Sequence, residues 1–252
     1  MHVDSEAGAP FAKISSINPA NPESWQGKIF LSFDIDWAID EAVESLADML
    51  EARGVAATFF VTHDSPVLAR LASNPLFELG IHPNFDPLLA GGGGNAAQVF
   101  RELLAIVPGA RATRSHALTS SGRLTRLIHE NGLTHECNQM IPFESGMVLR
   151  PYAHWNGLIK VPHVWEDDVH MQYVTRMGVP FSVNAALTSP GLKVFDFHPI
   201  HVALNSPDMA FYERTRGQHR NWASLRACAN EGRGTATLLQ ELIDGAVLMS
   251  AN

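Results

Sequence analysis

Short apolar runs rich in β-branched and aromatic residues recur along this chain, and stretches with apolar residues at helical spacing fall between them. Residues 28–33 (KIFLSF) read as a buried strand, and Ile39, Val43, Leu46 and Leu50 then mark one face of a helix closed by Arg53-Gly54. Residues 55–62 (VAATFFVT) read as the next strand. The pattern predicts further strands at 77–81, 111–115, 133–138, 158–164 and 192–197, and helices at 96–107, 123–131 and 235–249. Roughly seven strands alternating with helices point to an α/β fold, either a parallel β/α barrel or a doubly wound sheet.

The length of 252 residues fits one domain of this kind, and 46% hydrophobic residues supply a substantial core. No apolar run reaches the roughly 18–20 residues of a membrane helix. The opening MHVDSEAGAPFAK lacks a basic region followed by an apolar one, so a cytoplasmic location is expected. Residues 1–24 read as a partly ordered arm, with the catalytic domain over 25–252. The net charge of −8 comes without a basic stripe, which argues against nucleic acid as a partner. Cys137 and Cys228 are too few for a disulfide framework and are expected as free thiols. Gly91 to Gly94 lack the spacing of a phosphate loop. Residues 205–222, with several arginines and aromatics, read as an insertion over one barrel mouth.

Polar clusters stand where predicted strands end, the place where a β/α barrel collects its catalytic groups. In Phe33-Asp34-Ile35-Asp36 the two carboxylates share a strand face and repel unless a cation or proton lies between them. The plainer reading is a helix cap and a surface acid. In Gly80-Ile81-His82-Pro83-Asn84-Phe85-Asp86 an imidazole and a carboxylate can converge from one turn, and Asp36, His82 and Asp86 would make one nitrogen and two oxygen ligands for an ion. The alternative is a surface histidine beside a self-bonded turn. Asp196 and His198 again share a face, and a histidine there is a natural general acid or merely one held by its neighbour. Arg114 and the run Trp165-Glu166-Asp167-Asp168 are weaker signals, open to a surface salt-bridge reading.

Taken in order, these pieces resemble the polysaccharide deacetylase (NodB-like) family over about residues 28 to 201, and Arg114-Ser115-His116, Trp165-Glu166-Asp167-Asp168 and Phe197-His198-Pro199-Ile200-His201 most resemble its WbmS-like branch, linked to O-antigen loci. The second-strand run Ala57-Thr58-Phe59-Phe60-Val61 adds to the match. The resemblance implies a distorted (β/α)7 barrel and a metal-dependent hydrolase that removes an N-acetyl or related acyl group from an amino sugar, free, nucleotide-linked or lipid-linked. Asp34 is then the base, aimed by Arg114, and Asp36 and His82 bind the metal, with Asp86 where the family has a second histidine. His198 is the acid, oriented by Asp196 or by the 166–168 carboxylates, of which Asp168 is taken.

His116, Ala117 through its backbone N–H, Trp165 as a stacking face and His201 are the expected substrate contacts. One divalent ion is implied, zinc first, with manganese, iron or cobalt also compatible. The competing readings are an amidase or deformylase acting on another small amide, and a silent carbohydrate-binding barrel.

Overall fold

The structure, a computed structural model, describes residues 10–177 and 181–250, with 173–177 described by their backbone alone. The strands are β1 (Ile29–Asp34), β2 (Ala57–Val61), β3 (Phe77–Ile81), β4 (Ala112–Thr113), β5 (His135–Glu136), β6 (Tyr152–Ala153), β7 (Ile159–Lys160), β8 (Trp165–Glu166) and β9 (Lys193–Phe197). They form one sheet in the order β6-β7-β5-β4-β3-β2-β1-β9-β8, parallel except for the β6–β7 pair. Every residue of β1 and β2 is buried, as expected of central parallel strands covered on both faces.

The two ends of this sheet belong to one stretch of chain. Residues 159–166 begin beside β5, where Val161 N–H donates to Glu136 O at 2.9 Å, and continue beside the following loop, where Ile141 N–H donates to His163 O at 2.9 Å. Val164 N–H then donates to Val194 O at 2.9 Å, and Trp165 and Glu166 pair with Phe195 and Asp196 of β9. With β7–β8 counted as one member, the ring runs β1, β2, β3, β4, β5, β7–β8, β9, which is the expected (β/α)7 barrel. The strand expected at 158–164 is divided because the stretch changes partners midway, at Pro162, which has no N–H to give to a ladder.

Helices cover the outside. Asp40–Ala52 carries Asp40 and Glu41 in its first turn, where acids suit the positive end of the helix dipole, and buries Ala42, Val43, Leu46, Ala47 and Leu50. Thr235–Ser250 buries Leu238, Leu239, Leu242 and Ile243. Between them, Asn205 takes a left-handed conformation (φ 49°) after the helix Pro199–Leu204 and turns the chain into the 205–222 segment. That segment forms the helix Met209–Thr215 and the turn Arg216–Gln218.

Residues 10–24, read from sequence as part of an arm, lie against the amino ends of the strands; residues 1–9 are outside the described residues. Ile29 N–H donates to Pro10 O at 2.8 Å, and Ala12 N–H to Ile29 O at 3.0 Å. Ile14 N–H donates to Thr58 Oγ1 (3.0 Å), Ser15 N–H to Glu78 Oε2 (3.1 Å), and His135 Nε2 lies 2.9 Å from Ile17 O. Ile14 and Ile17 are fully buried by these contacts. This segment stoppers the barrel end opposite the polar clusters.

Gly80 ties the fold to the site. A Cβ there would come within 2.6 Å of the Phe60 ring and 2.8 Å of Ala112 O, so only glycine lets β3 approach so closely. The same Phe60 ring carries the Arg114 guanidinium, 4.7 Å from its centroid. Gly80→Ala is expected to destabilise the fold by about 1–3 kcal/mol through overpacking, read as a lower urea midpoint. An unchanged midpoint would mean that Phe60 is free to shift.

Candidate active site

The polar clusters meet at the carboxyl ends of the strands. Asp34 ends β1, and Asp36 follows in a left-handed conformation (φ 40°), unusual for a residue other than glycine. Between the two acids stands His82, buried at the end of β3. Its Nδ1 lies 3.4 Å from Asp34 Oδ2 and its Nε2 3.2 Å from Asp36 Oδ1.

His116 completes this group. Its Nδ1 is 3.4 Å from Asp36 Oδ1 and 3.4 Å from His82 Nε2. The three donor atoms therefore form a nearly equilateral triangle. Donors about 2.0–2.1 Å from a tetrahedral ion lie roughly 3.3–3.4 Å apart, so the spacing suits one divalent cation. Asp36 Oδ1 is buried without a well-formed hydrogen bond, a costly state that an ion would relieve. Burial works to raise the Asp36 carboxyl, but His116, His82 and the charge of His198 prevail and lower its pKa. His116 is raised in turn, chiefly by Asp36.

Asp86 does not join the triangle, contrary to the expectation from its spacing with His82. Its side chain is 54% exposed, and Oδ2 lies 3.9 Å from Nε2 of His116, the ring nitrogen that does not face Asp36. The helix Asp86–Leu89 begins at Asp86 itself and carries it outward, while the turn after β4 brings His116 in. His116 thus occupies the third corner, and Asp86 stands behind it.

Arg114, fully buried, connects the remaining acids. Its Nη1 donates to Asp34 Oδ1 at 2.9 Å and to Asp196 Oδ1, and its Nη2 donates to Ser32 Oγ at 2.9 Å. Ser32 Oγ donates to Asp196 Oδ1 at 2.8 Å. Burial opposes the guanidinium charge, but Asp196 and Asp34 hold it, and its pKa is raised. Asp196 is therefore the inner partner of Arg114; of the acids expected to orient His198, the one sharing its strand face does not do so.

Asp167 orients His198. Its Oδ1 lies 2.7 Å from His198 Nδ1, and its Oδ2 accepts the His198 backbone N–H at 2.9 Å. Asp168, the carboxylate taken from the sequence for this role, instead lines the cavity above. The strand ends at Glu166 and a helix starts at Asp167, a boundary that composition does not reveal. His198 Nε2 points to Asp36 Oδ2, 3.6 Å away. Burial would lower the His198 pKa, but the charge and hydrogen bond of Asp167, with Asp168 and Asp36, raise it well above its usual value.

A cavity of about 500 Å³ opens over Asp36 and His198, lined also by Trp37, Asp168, His201 and Tyr212. His201 lies in its wall, with Nδ1 3.1 Å from Ser206 Oγ. Ala117 is exposed beside His116 in a left-handed turn (φ 50°). Trp165 is core and not a stacking face: it is buried, 4.8 Å from the ring centroids of both Phe181 and Phe197. The aromatic face at the mouth is that of Trp37, 56% exposed, with its ring edge-on to His116 at 5.1 Å. Its place directly after Asp36 was the available signal in the sequence.

A family model described as WbmS-like polysaccharide deacetylase matches residues 31–216. Among solved structures, a candidate polysaccharide deacetylase involved in O-antigen biosynthesis from Bordetella bronchiseptica is 40% identical, with a TM-score of 0.88 over 94% of this chain and 98% of that one. A candidate polysaccharide deacetylase from Mycobacterium smegmatis is 16% identical over 88% of this chain and 91% of that one, with a TM-score of 0.49. No curated protein matches the chain.

Glu166 offers a test of the buried carboxylates. Burial, with Asp168 and Asp196 nearby, raises its pKa well above the usual range, and its Oε2 lies 3.0 Å from His163 Nε2. The folded state thus keeps a proton that the unfolded chain has released. The stability from this group is complete below the ordinary carboxylate pKa and falls as pH rises toward the raised folded value. Glu166→Gln, which fixes the neutral form, should flatten that fall in urea midpoints measured from about pH 4 to 8. An unaltered slope would count against a protonated Glu166.

Proposed function

The chain belongs to the WbmS-like polysaccharide deacetylase family, and on that premise we propose that it hydrolyses the N-acetyl amide of an amino sugar destined for a surface polysaccharide of the O-antigen type. The observation that carries this reading is the triangle of Asp36, His82 and His116 with Asp34 and His198 on either side.

Asp36 Oδ1, His82 Nε2 and His116 Nδ1 would hold one divalent ion, a carboxylate and two imidazoles suited first to zinc. When bound, such an ion polarises the amide carbonyl and makes water acidic near neutral pH. Arg114 engages Oδ1 of Asp34, so Oδ2 is the oxygen left to accept a proton from the attacking water. The contact of Oδ2 with His82 Nδ1 also favours the tautomer whose Nε2 lone pair is free for a ligand bond.

Breaking the C–N bond expels an amine that must take up a proton. His198 supplies it from Nε2, because Asp167 holds Nδ1 and the raised pKa keeps the ring charged near neutrality. The products are acetate and the free amino sugar. A silent binding barrel would have no use for Arg114 on Asp34 or Asp167 on His198, and both pairs are buried.

His198→Ala is expected to lower turnover by about 10²–10⁴-fold while metal content stays the same, judged by acetate release from a panel of N-acetylated amino sugars and by elemental analysis. Normal turnover in that variant would remove His198 from the mechanism. His116→Ala should lose the metal, whereas Asp86→Asn, behind the imidazole, should weaken it by no more than roughly 10–100-fold. The reverse order would return Asp86 to the ligand set.

A further inference from the structure

The reaction just described makes no use of the 205–222 segment, yet its helix and following turn form one wall of the cavity over Asp36 and His198. A ladder of rings fixes that wall to the site. His198 and His201 are 5.7 Å apart, His201 and Tyr212 4.6 Å, and Tyr212 and His219 4.7 Å. Thr215 Oγ1 lies 3.0 Å from His219 Nε2. On either side of His219 in sequence, Arg216 and Arg220 line the same cavity.

Neither guanidinium is committed elsewhere. Arg216 pairs with Glu213 at 3.1 Å, but the side chains are 71% and 54% exposed, and such a pair contributes little. Arg220 has no ion-pair partner among the described residues. The cavity thus carries charges of both signs, Asp36 and Asp168 with the two arginines, beside apolar lining from Trp37, Ile200 and Met209. An outer groove of about 620 Å³ shares Trp37 and Arg220 with the cavity, and Asp40, Glu41 and Glu44 line it.

We propose that Arg216 and Arg220 bind an oxyanion on the amino-sugar substrate, and that this substrate is a diphosphate-linked sugar. The inference rests on the deacetylase reading above. In a chain of net charge −8, a diphosphate is repelled by Asp168 and by the acids of the outer groove, which leaves the arginine wall as its place. Arginine suits phosphate through paired, charge-assisted bonds. Anchored there, the sugar directs its acylamino group across the cavity to His198 and Asp36, and Trp37 offers an apolar face at the junction.

The test compares the wild-type holoenzyme with Arg216→Ala/Arg220→Ala. Calorimetry with UDP and with farnesyl diphosphate reads the anion site without turnover, and acetate release from the free, UDP-linked and polyprenyl-diphosphate-linked sugar reads its use. The double variant should bind both probes roughly tenfold more weakly or worse. It should raise KM for a linked sugar at least about tenfold more than for the free sugar. A preference for the UDP-linked form identifies a nucleotide carrier, and a preference for the polyprenyl form a lipid carrier. Equal binding of the probes by both proteins, or equal KM for free and linked sugars in the wild type, overturns the proposal. Arginine-dependent binding of UDP with no acetate released from any sugar would leave the anion site standing and refute the deacetylase reading.

Discussion

Arg114 is the residue on which the arrangement of the site depends. Its guanidinium lies in the barrel interior on the Phe60 ring and binds Asp34, Asp196 and Ser32, so β1, β4 and β9 share one cation at their carboxyl ends. A buried charge is expensive unless several partners surround it, and here two carboxylates and a hydroxyl do so. The same contacts aim Asp34 into the mouth. Fold and site are joined at this point: the closeness of β3 that Gly80 permits, the position of Phe60 and the direction of Asp34 are consequences of one another.

Around that centre the site is assembled from turns more than from strands. Asp36, Ala117 and Leu118 all take left-handed backbone conformations, and His116 enters through such a turn. Conformations of this kind cost of order 1–3 kcal/mol each and persist where the surroundings hold them. The triangle of Asp36, His82 and His116 depends on them, since Asp36 itself takes such a conformation and His116 stands directly before another.

Much of the barrel was legible because buried parallel strands read as apolar runs, and 77–81 was found to the residue. The two-residue strands β4, β5 and β7 fall inside the longer runs expected at 111–115, 133–138 and 158–164, whereas β6 and β8 lie outside every expected strand. Residues that share a face of a long strand, such as Asp196 with the His198 that follows it, could be read from alternation. Choices made in turns and at helix starts could not be read in this way. Asp86 looked like a partner of His82 by spacing, but a helix turns it out. Asp167 and Asp168 are chemically identical, and only the register of a helix start separates them. Trp165 stood beside acids in sequence while its ring faces Phe181.

The stopper formed by residues 10–24 has a practical consequence. A shortened version starting at residue 25, natural for anyone trimming to the enzymatic core, would uncover Thr58, Glu78 and His135 and strip the outer edge of Ile29. Such a truncation exposes polar groups and hydrophobic surface together at the floor of the barrel, so loss of solubility in a trimmed clone would say nothing about the catalytic end.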